Sequence, residues 1–216
     1  MVTIEVAGQA LTLLPQKAAL LPDSRTLLIA DAHIGKATSF RALGVPVPRG
    51  TTSETLAVLG DIIRRHGAKR VVFLGDFLHS TLPHGAPTLD AWARWRCDLP
   101  PLDLELVGGT HEDGAGAPPA SLGLRVVDEP LRQGGLALCH HPEPVAGAYV
   151  VAGHLHPCVS IQGRARERLR LPCFHVGTHA MVLPAFGSFT GMHPVRRTPG
   201  DRVFAVAGEA VRELPT

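Results

Sequence analysis

Residues 27–33 read LLIADAH: four apolar residues without a polar interruption, then an aspartate and a histidine two apart. A short apolar run closed by polar residues reads as a buried strand. The same phrase recurs down the chain. VVFL (71–74) runs into Gly75 and Asp76, and LELV (104–107) into GGTHE with His111. LALC (136–139) runs into His140 and His141, and YVVA (149–152) into Gly153, His154 and His156 of GHLH. Sheets of this kind hold ligands at the carboxyl ends of their strands, so these polar residues, far apart in sequence, are expected to converge there. Side chains at i and i+2 of an extended segment share a face, so D-x-H and H-x-H would each send two donors the same way.

Around these strands the pattern alternates with helices. Thr51 and Glu54 have capping-box spacing, Leu56, Leu59, Ile62 and Ile63 share one face, and Gly67 closes the pattern, which predicts a helix. A second helix is expected around 88–97, where Trp92 and Trp95 lie three apart and read better as packing residues than as a platform for stacked bases. LPCFHV (171–176), MVLPAFGSFTG (181–191) and VFAVAG (203–208) add strands and turns late in the chain. Strands that first alternate with helices and then crowd together predict an α/β protein built as a sheet sandwich flanked by helices. No linker or repeat interrupts the chain, so one domain over 1–216 is expected.

Composition narrows the class. Apolar residues make up 45% and charged residues 19%, an ordinary globular balance, and 19 prolines with 23 glycines imply many turns. Against 19 acidic side chains stand 21 basic ones, a formal net charge of +2, so a polyanionic partner must be argued locally. Cys97, Cys139, Cys158 and Cys173 form no CxxC pair, and Cys139 and Cys173 sit in apolar runs, which favours reduced thiols and the cytoplasm. The N-terminal MVTIEVAGQALTLLPQ lacks the form of a secretion signal, and no apolar run reaches the roughly 18 residues of a membrane span, so no membrane association is expected.

Mixed carboxylate and imidazole donors suit manganese, iron or zinc rather than magnesium or calcium. Two such ions about 3.5–4 Å apart, bridged by a carboxylate, can activate water as hydroxide and neutralise the oxygens of a phosphate ester. The order D-x-H, G-D, G-x-H-E, H and G-H-x-H over 27–156 resembles the calcineurin-like metallophosphoesterases. Within that superfamily DAHIGKATSFRALGVPVPRGTT, GDFLHS, GHLHP and LPAFGSFTG are similar to the PdeM-type phosphoesterases of the ligase-associated DNA damage response. The resemblance implies an αββα sandwich of four layers with two transition-metal ions, manganese first. It also implies a phosphodiesterase or endonuclease acting on DNA, chiefly single-stranded, in bacterial repair. Functional association with a Lhr-type helicase, an ATP-dependent DNA ligase and a nuclease of the metallo-β-lactamase fold is implied too.

Carried over residue by residue, Asp31, His33 and His156 would hold the first ion, Asp76 would bridge, and His140 and His154 would hold the second. His111 would be the general acid, and His79, where relatives often carry an acidic residue, would orient it or touch substrate. The third motif departs from the family. Relatives carry Asn as a metal ligand, and this chain has Thr110, whose neutral hydroxyl is a weaker donor. A single histidine at a strand end is more often structural than a ligand, and it is the ordered set that reverses this. His141 reads as a neighbour that lines the site and touches substrate.

Lys36, Arg41 and Arg49 leave the same strand edge and are expected near a substrate phosphate, with Gly35 and Gly44 turning that backbone. His66 reads as a helix-end residue. Arg164, Arg166, Arg168 and Arg170 alternate, and read either as a row of phosphate-binding cations or as a solvated hairpin. Two other functions stay open: a hydrolase of small phosphodiesters or monoesters of the cyclic-nucleotide type, and a non-catalytic metal-binding scaffold motivated by Thr110. No serine, cysteine or histidine is paired with a base as a nucleophile in these motifs, so direct in-line attack by the activated water is expected.

Overall fold

Fully apolar strands need cover on both faces, and in the computed structural model they receive it from a second sheet on one side and helices on the other. The structure describes residues 1–42, 44–46, 51–78, 86–108, 118–162, 168–188 and 190–215. The first sheet follows chain order: β1 (Val2–Val6), β2 (Gln9–Leu14), β3 (Ala18–Leu21), β4 (Thr26–Ala30), β5 (Arg70–Leu74), β6 (Asp103–Val107) and β7 (Arg125–Val127). Its first four strands form an antiparallel meander, and β4 through β7 run parallel. β4, β5 and β6 are the expected apolar strands, whereas β1 to β3 were not expected: β1 and β2 interleave polar residues, and the apolar β3 is only four residues long.

Helices α1 (Lys36–Ala42), α2 (Thr51–His66) and α3 (Ala86–Cys97) belong to the first half of the chain. The face predicted for α2 is the buried one, with Leu56, Leu59, Ile62 and Ile63 at most 2% exposed. Gly67, at φ +58, closes the helix: Ala68 N donates to Ile63 O at 3.0 Å and Gly67 N to Arg64 O at 3.3 Å, the paired bonds of a Schellman stop. Trp92 and Trp95 are both core residues on α3, and the Trp92 indole donates to Leu122 O at 3.0 Å. With Phe73 and Phe77 they join helices and sheet into one cluster. The helix α1 had no place in the sequence reading, which took Gly35 and Gly44 as turn residues; both do have positive φ and they flank the helix.

The second sheet comprises β8 (Leu131–Gln133), β9 (Leu136–Leu138), β10 (Tyr149–Ala152), β11 (Pro157–Gln162), β12 (Arg168–Val176), β13 (Ala180–Val182), β14 (His193–Pro194), β15 (Arg202–Ala207) and β16 (Ala210–Leu214). The order β14-β11-β12-β13-β10-β9-β8 carries β15 and β16 as a branch from β12. Its inner strands β9, β10 and β13 are parallel. Leu11, Leu28, Val72 and Val107 of the first sheet share a core with Leu138, Val151, Phe174 and Phe204 of the second. The expected sandwich is therefore present. The helices among the described residues lie on the first sheet, while Val145, Ala148 and Val195 pack over the outer side of the second. Among the described residues no helix is long and apolar enough to cross a membrane.

The edge opposite the strands' carboxyl ends is fastened by charge. Glu105 on β6 is only 5% exposed and takes hydrogen bonds from Arg70 on β5 and Arg125 on β7. Arg70 also donates to Gln133 Oε1 at 2.9 Å, which reaches the second sheet. Burial works to raise the Glu105 carboxyl, but the bonds and charge of Arg70 and Arg125 outweigh it and the net shift is downward. Its contribution is therefore fully present above the unfolded carboxylate value and is lost as pH falls through the lowered folded one. In urea unfolding, Glu105→Gln should cost about 1–3 kcal/mol at neutral pH, with the difference from the parent closing in acid.

Candidate metal centre

Parallel strands that end level with one another place their next residues along one edge. Ala30, Leu74 and Val107 are neighbours at the ends of β4, β5 and β6, as are Ala152 and Val182 at the ends of β10 and β13. Phe186 N donates to Ala30 O at 2.8 Å and Gly187 N to Asp31 O at 3.1 Å, so the segment after β13 is bonded to the exit of β4 and the edges of the two sheets meet.

At that seam lie Asp31, His33, Asp76, His140, His154 and His156, the six residues expected as ligands. They form overlapping groups whose donor atoms lie within 4.8 Å of one another: Asp31, His33 and His156; Asp31, Asp76 and His140; His140, His141 and His154. The geometry is that of two imidazole sets separated by two carboxylates. Asp31 Oδ1 lies 3.4 Å from His140 Nε2, and Oδ2 3.6 Å from His156 Nε2. Asp76 spans the same gap, with Oδ2 3.6 Å from His33 Nε2 and Oδ1 3.9 Å from His140 Nε2. His154 also donates its backbone N–H to Asp31 Oδ2 at 2.9 Å.

The convergence does not come from strand alternation. Asp31, His33, Asp76, His154 and His156 all have positive φ, between 22° and 67°. Each lies just beyond a strand, and the chain turns there through a conformation that costs about 1–3 kcal/mol for a residue with a side chain. Aspartate and histidine tolerate it better than most. His154 and His156, two apart, therefore belong to different groups, and Leu155 between them is 46% exposed.

Two glycines make the close approach possible. A Cβ on Gly75 would fall 2.0 Å from His140 Cδ2, and one on Gly153 would fall 2.7 Å from Asp31 Oδ2. Downstream of Asp76 the chain is held by Phe77, whose ring packs against Phe73 at 4.7 Å and Trp92 at 5.1 Å between centroids. His33 N to Asp76 O, at 2.9 Å, and Ile34 N to Phe77 O, at 2.7 Å, then tie the two exits together.

Electrostatics separate members of the set. Burial alone would raise Asp31, which is 0% exposed, but the His140 and His156 imidazoles bring it down to about 2. Burial pulls His140 down, yet Asp31, Asp76 and Glu129 outweigh it and its pKa is raised. His154 is lowered, by burial first and then by the charges of His140 and His141.

The donor set fits bound transition metal. Donors about 2.1 Å from one ion lie about 3–3.5 Å from each other, close to the spacings around Asp31. Asp31 Oδ1 and His140 Nε2 are fully buried without a hydrogen bond, a costly arrangement in the absence of a bound cation. Nitrogen and carboxylate oxygen together favour manganese, iron or zinc.

Of the residues expected to touch substrate, Lys36 begins α1 and lines a cleft with His33 and Thr55. Burial lowers its pKa while the charges of Asp76 and Asp31 pull the other way. Arg41 bonds Thr38 Oγ1 of its own helix at 3.2 Å, and His141 stands within the third group. His79, His111, Thr110 and Arg49 lie outside the described residues, as do Arg164 and Arg166. Arg168 and Arg170 are exposed on the β11–β12 hairpin, across from Gln162 and Ser160.

Two residues at the site had drawn no notice in the sequence. Glu129 accepts the His140 N–H at 2.6 Å and lies 3.5 Å from His141 Nδ1, as a carboxylate that orients imidazoles does. Lys17 lines a cavity beside His156. Neither belongs to a motif, and only the packing of the sheets brings them near.

The crystal structure of the Pseudomonas putida nuclease MPE matches with a TM-score of 0.83 and 38% sequence identity, over 99% of this chain and 99% of that one. Neither a protein-family model nor a curated protein matches the chain.

Gly75→Ala should leave the far-UV circular dichroism unchanged and abolish high-affinity uptake of manganese in calorimetry, because the new methyl displaces His140. Glu129→Gln should weaken the same uptake by about 10–100-fold.

Proposed function

The chain belongs to the family of the Pseudomonas putida nuclease MPE, and on that premise we propose that it is a metal-dependent phosphodiesterase that hydrolyses DNA. The observation that carries the proposal is the buried Asp31 shared between two sets of histidines, with Asp76 spanning the same gap. Two ions bound there would supply a nucleophile from water at neutral pH and neutralise charge on the phosphodiester oxygens.

In this proposal Asp31, His33 and His156 would hold one ion and His140 and His154 the other, with Asp76 available to both. Glu129 fixes the direction of His140 through its backbone N–H. Lys36, within the field of both aspartates, presents a cation to the substrate phosphate. His111 is assigned the proton that the leaving oxygen needs, and His79 the task of orienting it or touching substrate. Thr110 replaces an expected ligand and weakens the second ion. The order of the motifs supports placing the chain with the calcineurin-like phosphoesterases and, within them, the PdeM type that serves DNA repair.

The test begins with metal-free protein resupplied with manganese, using bis-p-nitrophenyl phosphate and a labelled single-stranded DNA. The parent and Thr110→Asn are compared. Both substrates should be cut by the parent, chelation should stop it, and Thr110→Asn should bind manganese more tightly and turn over about tenfold faster. Activity in Thr110→Asn alone would mean that Thr110 disables a catalytic fold. Absence of turnover in both would leave the scaffold reading. Configuration at phosphorus should invert, as in-line attack without a protein-bound intermediate requires; retention would refute that step.

A further inference from the structure

Beside His156 lies a cavity of about 190 Å³ bordered by Lys17, Ser188, Thr190 and Gly191. His156 belongs both to this wall and to the group with Asp31 and His33, and its Nδ1 is 3.1 Å from Gly191 O, so cavity and metal centre share a residue. Ser188 also borders the cleft that holds His33 and Lys36, so this one residue stands between the two spaces.

Lys17 is an unusual wall for such a cavity. It sits in the turn between β2 and β3 at φ +63, with its N–H bonded to Leu14 O at 3.0 Å. Its amine donates to Phe186 O at 2.8 Å and Gly187 O at 3.3 Å. An ammonium has three donors, so the two carbonyls leave one for the cavity. No carboxylate pairs with Lys17 among the described residues. Burial lowers its pKa to about 8, so it is mostly charged at neutral pH. The Ser188 hydroxyl adds a donor of the kind that binds phosphate oxygens, while the Thr190 hydroxyl donates to Gly187 O at 3.4 Å and borders the cavity as an acceptor; Pro157 and Pro172 give the same cavity apolar lining suited to a sugar.

We propose that this cavity is the subsite for the sugar-phosphate unit next to the scissile bond, with the Lys17 ammonium as the cation for its phosphate. The inference rests on the nuclease reading above. It deepens that reading by giving the substrate a second phosphate contact, on the opposite side of Ser188 from Lys36. A strand so held passes across the metal centre with a lysine at either flank, which favours polynucleotides over isolated phosphate esters.

Equilibrium binding tests it without any need for cleavage. Anisotropy of a labelled single-stranded oligodeoxynucleotide, in chelator and across a salt series, is compared for the parent, Lys17→Met and Lys17→Arg. Lys17→Met should bind about tenfold more weakly, and its slope of log K against log salt should be shallower by about 0.7, the value of one lost phosphate contact. Lys17→Arg should keep the parent slope. Because Lys17 also holds two carbonyls, the parent protein supplies an independent measurement: acylation of its lysines, located by peptide mass spectrometry, with and without a single-stranded tetranucleotide, which has phosphates on both sides of its central one. Protection of Lys17 supports the subsite. Unchanged affinity and slope in Lys17→Met, or Lys17 labelled equally with and without the tetranucleotide, would overturn it. A parent that binds, protects Lys17 and cuts nothing refutes the hydrolase and keeps the subsite; one that cuts DNA with Lys17 unprotected does the reverse.

Discussion

Everything at the carboxyl edge is arranged around one desolvated carboxylate. Asp31 has no exposure, receives the His154 N–H, and lies within 3.6 Å of imidazoles from two separate loops. A buried carboxylate without compensation would take up a proton. Here His140 and His156 keep it ionised. Negative charge held out of water on Asp31 is what a cation needs, and its surroundings come from both sheets, with His154 at the exposed rim.

The backbone is shaped to the same end. Parallel strands ending level supply the positions, left-handed residues just beyond them turn the side chains inward, and Gly75 and Gly153 let those side chains approach the main chain. The local strain is offset by burial elsewhere, in the Trp92 and Phe73 cluster on one face of the first sheet and the apolar layer between the sheets on the other. The charged edge around Glu105 secures the far end of the same strands.

Much of this was legible in the sequence. The runs 27–30, 71–74, 104–107, 136–139 and 149–152 are apolar throughout, and only buried strands tolerate that. The six donors could be read because each follows such a run directly. In the meander β1 to β3, the first two strands interleave polar and apolar residues and the fully buried β3 is only four residues long, and α1, with seven residues, carries too few positions to display a period. Glu129 and Lys17 were invisible for another reason: their positions depend on how separate segments pack, which no spacing encodes. Alternation would send His154 and His156 the same way, but both have positive φ and fall in different groups, whereas Asp31 and His33, also two apart, share one.

The seam at Gly187 has a consequence for how the protein comes into being. Asp31, His33 and Asp76 belong to the half of the chain made first, and His140, His154 and His156 to the half made later. Gly187, whose Cβ would fall 2.6 Å from Ala32 O, can seat only after β13 has formed. A nascent chain still emerging from the ribosome thus carries the acidic half of the centre without its later histidines. Full donor capacity arrives only with the docking of the second sheet on the first, so the capacity to hold a cation and the completed fold are a single event.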